Sequence, residues 1–222
     1  MRLLPLAACL IAFAAQGATS KEVAVDVGHS LQKPGVISVT GIPEFEYNRT
    51  LAYKVRDLLL ASGLRVRMIG ERGDFDVLHE RSLAARGADL FVSIHHDSVQ
   101  ERYLPVAEKF SGFSLFVSRN NPQVEKSLEC ASAIGSEMLK AGYTRSLYHA
   151  DPVLGESRPY ADEAHGVHYF DNLAVARTAT MPALLFEAGV LVNKAEEARL
   201  ARPETQAAMA NAITQGVLRC LG

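Results

Sequence analysis

The sequence predicts an α/β domain: a three-layer sandwich with helices on both faces of a largely parallel or mixed central sheet. Three observations predict it. Short β-branched or apolar runs recur along the chain, stretches with apolar residues at helical spacing separate them, and glycines mark several of the boundaries. No internal repeat, low-complexity tract or interdomain linker interrupts the pattern, so residues 21–222 read as a single domain.

Taken in order, Val23, Ala24, Val25, Asp26 and Val27 form a buried strand that stops at Gly28. Residues 49–61 place Leu51, Val55, Leu58 and Leu59 on one helical face and end at Ser62-Gly63. Leu64, Val66 and Met68 alternate with arginines as a second strand, and residues 76–86 form a helix. Residues 89–94 and 113–117 are the third and fourth strands. Residues 122–141 form a long helix ending at Gly142, residues 181–186 an apolar strand, and residues 204–221 a final helix. Residues 143–168 keep no sustained period and read as a long loop, a place where ordered loops carry function.

The first twenty residues differ from the rest. Met1-Arg2 gives a positive start, residues 3–15 are almost continuously apolar, and Ala15-Gln16-Gly17 offers small residues for cleavage. This is the three-part pattern of a secretory signal peptide over residues 1–20, removed near residues 17–20. The apolar run is shorter than the ~20 residues of a membrane span, so no stable span is expected after removal. Leu6-Ala7-Ala8-Cys9 has the form of a lipoprotein box, but too little apolar sequence precedes Cys9 for export. The mature chain is expected in the periplasm or outside the cell. There Cys130 and Cys220 are free to form a disulfide or to remain separate buried thiols, and their positions do not decide between these. A formal charge of -2 provides no basic footprint, which argues against a nucleic-acid partner.

Four residues stand out chemically. His29 follows the first strand, where functional groups of open α/β sheets gather, although a histidine there is more often a hydrogen-bonded loop residue. His95 ends the third strand; alternation puts it on one face with Ser93 and Asp97, and leaves His96 to pack on the other. Glu46 precedes the first expected helix, where a carboxylate either offsets the positive helix end or supplies a third metal ligand. Two imidazoles and one carboxylate form a catalytic zinc set that leaves a position open. Glu187 follows the apolar Ala183-Leu184-Leu185-Phe186, as either a paired structural carboxylate or an acid/base beside such a metal.

These segments carry a resemblance. Asp26-Val27-Gly28-His29-Ser30 resembles the opening Asp-Pro-Gly-His-Gly motif of the zinc-dependent N-acetylmuramoyl-L-alanine amidases (the amidase type 3 catalytic domain). Glu46, followed by Leu51 and Ala52, is similar to their ligand-glutamate segment. Leu78-His79-Glu80-Arg81 and residues 87–95 resemble the third motif with its preceding helix. Gly166-Val167-His168 and residues 181–193 resemble the closing motif. The four occur in the family's order and span nearly the whole mature chain, which is what makes individually weak motifs specific. Val27 stands where the family has proline, Ser30 where it has glycine, and Asp97 where asparagine is common.

The resemblance implies Zn2+ held by His29, Glu46 and His95, with Glu187 as catalytic acid/base. It further implies hydrolysis, by metal-activated water, of the amide joining the lactyl group of N-acetylmuramic acid to L-alanine. The implied partner is peptidoglycan or a muropeptide; an activator protein is not identifiable. A zinc amidohydrolase or peptidase acting on another amide, and a non-catalytic wall-binding protein, are the alternatives. Residues 143–168 could shape or cover the cleft, with Glu156, Asp162, Glu163, His165 and His168 as contacts.

Overall fold

β1 (Glu22–Val27) is buried along its whole length. Val23, Val25 and Val27 pack into one core cluster while Ala24 packs into another, so helices cover both faces of the sheet. The structure is a computed structural model that describes residues 20–222; the expected secretory segment through residue 19, with Cys9, lies outside them.

Around β1 the sheet adds β2 (Arg65–Ile69), β3 (Leu90–Asp97), β4 (Ser114–Val117), β5 (Tyr160–Asp162), β6 (Val167–Tyr169) and β7 (Ala183–Val190). The spatial order is β2-β1-β3-β7-β4-β6-β5. β2, β1, β3 and β7 run parallel; β4 is antiparallel to β7 and parallel to β6, and β5 is antiparallel to β6. The sheet is therefore mixed. One helical layer holds α1 (Glu44–Ala61), α3 (Val124–Lys140) and α6 (Pro203–Leu221), whose apolar faces meet Val25, Val92, Leu115 and Phe186. On the other face lie α2 (Leu78–Ala84) and α4 (Ala174–Arg177), over Ala24, Phe91, Phe116 and Leu185. α5 (Lys194–Leu200) follows β7, and a 3-10 helix, Glu101–Lys109, separates β3 from β4.

Two expectations are corrected. The first helix begins at Glu44, not near residue 49: Pro43 is its extended N-cap, and the chain turns helical at once. Residues 143–168 are not all loop. They contain β5 and enter β6, strands of three residues each, too short to show a period in the sequence. The cysteines left open by the sequence are paired: Cys130 of α3 and Cys220 of α6 form a disulfide, with Cα atoms 4.9 Å apart. Among the described residues no helix is long and apolar enough to cross a membrane.

Candidate metal centre

The strands β1 and β3 end side by side, with Val27 opposite Ile94. Gly28 N–H donates to the Ile94 carbonyl at 3.0 Å, and the chain then turns through His29, whose φ of 70° is the left-handed region that non-glycine residues seldom enter. Arg81 holds this turn. Its guanidinium, almost fully buried, donates to Asp26 Oδ1 at 2.7 Å, to the Val27 carbonyl at 2.6 Å and to the Phe75 carbonyl at 2.7 Å, and also to the His29 carbonyl. Asp26 accepts a second bond from Ser93 Oγ at 2.5 Å. A fixed fork of N–H donors suits this set of convergent oxygens.

Glu44 completes the cluster from the first turn of α1. Its Oε2 lies 2.9 Å from His29 Nε2 and its Oε1 lies 3.1 Å from His95 Nδ1. Asn48, one helical turn on, donates to Glu44 Oε1 at 3.1 Å, and the His96 N–H does so at 3.2 Å. Burial by itself would raise the Glu44 carboxyl; hydrogen bonds with both histidines outweigh it and hold the group well below the usual carboxylate range. Close packing is built into the backbone. A Cβ on Gly28 would lie 2.5 Å or less from three atoms of the His95 ring, and one on Gly35 would meet both Glu44 and the His29 ring.

The sequence-predicted residues are placed as follows. His29 and His95 come together, their ring centroids 4.9 Å apart. His96 points to the opposite face, buried, with its Nδ1 2.8 Å from Asn48 Oδ1; burial pushes its pKa down to about 4. Glu46 does not join them, and the expectation for it is corrected. At ~100° per helical residue, a carboxylate two positions after Glu44 points nearly the opposite way. Glu46 is over a third exposed there and pairs with Arg49 at 2.5 Å. Sequence reasoning missed Glu44; the signal was Pro43, a helix-start residue that would have put Glu44 and Asn48 on one face.

Glu187 sits on β7 directly opposite His95. Its Oε2 is buried with no hydrogen-bond partner. Burial first, then the charges of Asp97, Glu44 and Glu156, push its pKa well above 4.5, so the carboxyl favours its protonated form. Asp97, at the end of β3, receives His149 Nε2 at 2.7 Å; His149 Nδ1 donates to Glu156 at 2.9 Å, and Arg158 Nε donates to the same Glu156 oxygen at 2.5 Å. Burial would lower the His149 pKa, but the two carboxylates raise it to about 9, so the imidazole is charged. This buried pairing was not foreseen; nothing in the spacing of Asp97, His149 and Glu156 signals it. Of the loop residues considered, Glu156 lines the site. Asp162 and His165 pair with each other at 2.6 Å, Glu163 lies 3.6 Å from Arg145, and His168 is buried beneath Tyr160.

His29, Glu44, His95, Asp97, Glu156 and Glu187 thus border one open cavity of about 320 Å³. The donor atoms of His29, Glu44 and His95 lie within 4.8 Å of one another. The two imidazole–carboxylate separations, 2.9 and 3.1 Å, approach the ~3.4 Å between neighbouring ligands of a tetrahedral ion with ~2.1 Å bonds. Two nitrogens and one carboxylate oxygen, with His29 partly open to solvent, suit a zinc-like ion with a free position.

The sequence and the fold have relatives. An N-acetylmuramoyl-L-alanine amidase, AmiC, from Neisseria meningitidis serogroup B is 28% identical over 89% of this chain; the match spans 52% of the relative's length, so this chain corresponds to about half of it. An uncharacterised protein of Bacillus subtilis, YqiI, is 30% identical over 96% of this chain and 90% of its own. The catalytic domain of CwlV, an N-acetylmuramoyl-L-alanine amidase from Bacillus (Paenibacillus) polymyxa var. colistinus, superposes with a TM-score of 0.72 at 27% identity, covering 90% of this chain and 98% of that one. The amidase Ami1 of Mycobacterium smegmatis shares the fold, with a TM-score of 0.76 at 22% identity over 91% of this chain and 97% of its own. The sequence pattern of one enzyme family, described as N-acetylmuramoyl-L-alanine amidase, matches residues 23–219, and the chain belongs to that family.

Proposed function

We propose that this protein is an exported, zinc-dependent N-acetylmuramoyl-L-alanine amidase that releases peptide stems from peptidoglycan. The observation that carries this reading is the pairing of a His29–Glu44–His95 donor set with a proton-favouring carboxyl, Glu187, across one cavity. His29, Glu44 and His95 would hold the ion. The chemistry such an ion supplies is Lewis acidity toward a water and toward the amide carbonyl oxygen.

The chain's own groups do the rest. Glu187 accepts a proton from the attacking water in its carboxylate form, which the added positive charge of the loaded site favours. The water oxygen joins the carbonyl carbon. The C–N bond breaks with its electron pair on nitrogen, and Glu187 delivers the proton to that nitrogen, because an amide anion is a poor leaving group. Such acid/base help contributes ~10²–10⁴-fold. The apolar strand residues beside Glu187, Phe186 and Ala188, are fully buried and keep its position fixed. Arg81, Asp26 and Asn48 do not reach the reacting atoms; they fix the orientations of His29 and Glu44.

The test is to incubate the purified mature protein with peptidoglycan, with chelator and with added zinc, and to identify products by mass spectrometry. Zinc-dependent release of stems beginning with free L-alanine is expected. Intact stems in the presence of zinc overturn the reading. Glu187→Gln is expected to keep the ion and lose turnover; near-normal turnover removes the acid/base role.

A further inference from the structure

The two oxygens of Glu187 are not equivalent. The residue borders the open cavity with His29, Glu44 and His95, but its Oε2 is turned inward, buried and without a hydrogen-bond partner. β4 and β7 are antiparallel, and Ser114 lies directly opposite Glu187 in their register. Opposed residues of such a pair carry their side chains on one face, with Cβ atoms ~4.5–5.5 Å apart. Ser114 is fully buried, and its Oγ has no partner either. His29, His95, His149 and Arg158 are all engaged with other carboxylates: the first two with Glu44, His149 with Asp97 and Glu156, and Arg158 with Glu156. The ring nitrogens of His168 are also buried and unpartnered, but His168 belongs to β6, beyond β4, in the row of Leu185 rather than that of Glu187.

We propose that Ser114 is a positioning residue for the acid/base: its hydroxyl donates to Glu187 Oε2 and so keeps the transferable proton on the oxygen that faces the cavity. The inference rests on the amidase reading above. A buried hydroxyl that bonds to nothing costs folding free energy, and an alanine would occupy the same place without that cost. Fold stability therefore gives no reason for a hydroxyl at position 114, whereas the carboxyl across the ladder does. A turn of the Ser114 side chain between staggered rotamers brings the two orphaned atoms together without moving either strand. With Oε2 accepting from Ser114, the proton taken from the attacking water goes to the outer oxygen, and from there to the amide nitrogen. Ser114 keeps its own proton throughout. Without the hydroxyl, the proton settles as readily on Oε2, buried and out of reach of that nitrogen.

The test joins turnover to a signal that needs neither metal nor substrate. On an N-acetylmuramoyl-L-alanyl peptide, the zinc-loaded Ser114→Ala chain is expected to lose about 10–100-fold in kcat, the worth of one hydrogen bond to a charged group, with KM unchanged. Its urea midpoint is expected to equal or exceed that of the wild-type protein, because an orphaned hydroxyl has been removed. In the Glu187→Gln background the same substitution is expected to change the residual turnover by less than about twofold. In the metal-free protein at mildly acid pH, the infrared carboxyl C=O stretch of Glu187 is identified by its loss in Glu187→Gln. It is expected to move to higher frequency in Ser114→Ala, as a carbonyl released from a donor does. Unchanged kcat in Ser114→Ala, an earlier urea midpoint or an unmoved stretch overturns the proposal, and so does an equal loss of turnover with and without Glu187. A wild-type protein that binds zinc and leaves the peptide intact overturns the amidase reading itself, and the stretch alone then decides whether Ser114 holds Glu187.

Discussion

Arg81 Nη1 lies 2.7 Å from Asp26 Oδ1, and the two side chains are 2% and 0% exposed. An ion pair this deep is defined by what its loss would leave behind. Arg81→Ala would strand Asp26 and three backbone carbonyls, those of Val27, His29 and Phe75, away from water. We expect a loss of about 3–5 kcal/mol in urea unfolding. Arg81→Lys should recover only part of it, because an ammonium cannot reach four acceptors in a fixed fork. Equal stability of the lysine variant and wild type would show that the fork geometry is immaterial.

The two glutamates at the start of α1 make opposite predictions. Glu44→Gln should weaken zinc binding by more than the ~10–100-fold that supporting residues typically cost. Glu46→Gln should leave zinc affinity unchanged and shift stability by no more than ~0.5 kcal/mol, since its pair with Arg49 is exposed. Competition against a chromophoric chelator measures both; a large loss in Glu46→Gln would reverse the assignment.

These glutamates also show what could be read in advance. Strand positions were legible because β1, β3 and β7 are buried runs with clear ends, and the facing of His95 against His96 followed from period-two alternation. Helix starts were less legible: the spacing that locates α1 runs from Leu51 onward, and although Phe45 and Tyr47 of its first turn are buried too, Glu44 lies outside that stretch. The cluster of Asp97, His149 and Glu156 was not legible at all. It joins the end of β3 to an irregular segment fifty residues on, and only the folded path of that segment brings them within hydrogen-bond reach.

His149 makes stability depend on pH. Its pKa is raised from 6.5 to about 9, so its charged pairing with Asp97 and Glu156 contributes fully below pH 6.5 and is lost as pH rises through about 9. The wild-type protein should therefore be more stable than His149→Gln at pH 6, by at most about 3 kcal/mol, and the gap should close toward pH 9.5. Denaturant midpoints at several pH values test this. A gap that widens with pH would mean that the histidine is neutral in the folded chain.

The Cys130–Cys220 disulfide spans 90 residues of sequence. Closing a loop of that size in the unfolded chain is worth about 3–5 kcal/mol. Replacing both cysteines by alanine should lower unfolding stability by that amount, seen as an earlier urea midpoint. A midpoint that does not move would mean that the bridge adds nothing beyond the packing of α3 on α6.

The donor set does not belong to one layer of the molecule. His29 and His95 come from strand ends, while Glu44 stands on the helix that covers them. An ion gripping all three would act as a rivet through sheet and helix, so that occupancy and the seating of α1 rise and fall together. Withdrawing the metal would then do more than silence the reaction: it would let the front end of α1, with the 30–43 turn behind it, breathe away from the sheet, and scarcity of zinc would be felt as a loosening of the fold itself.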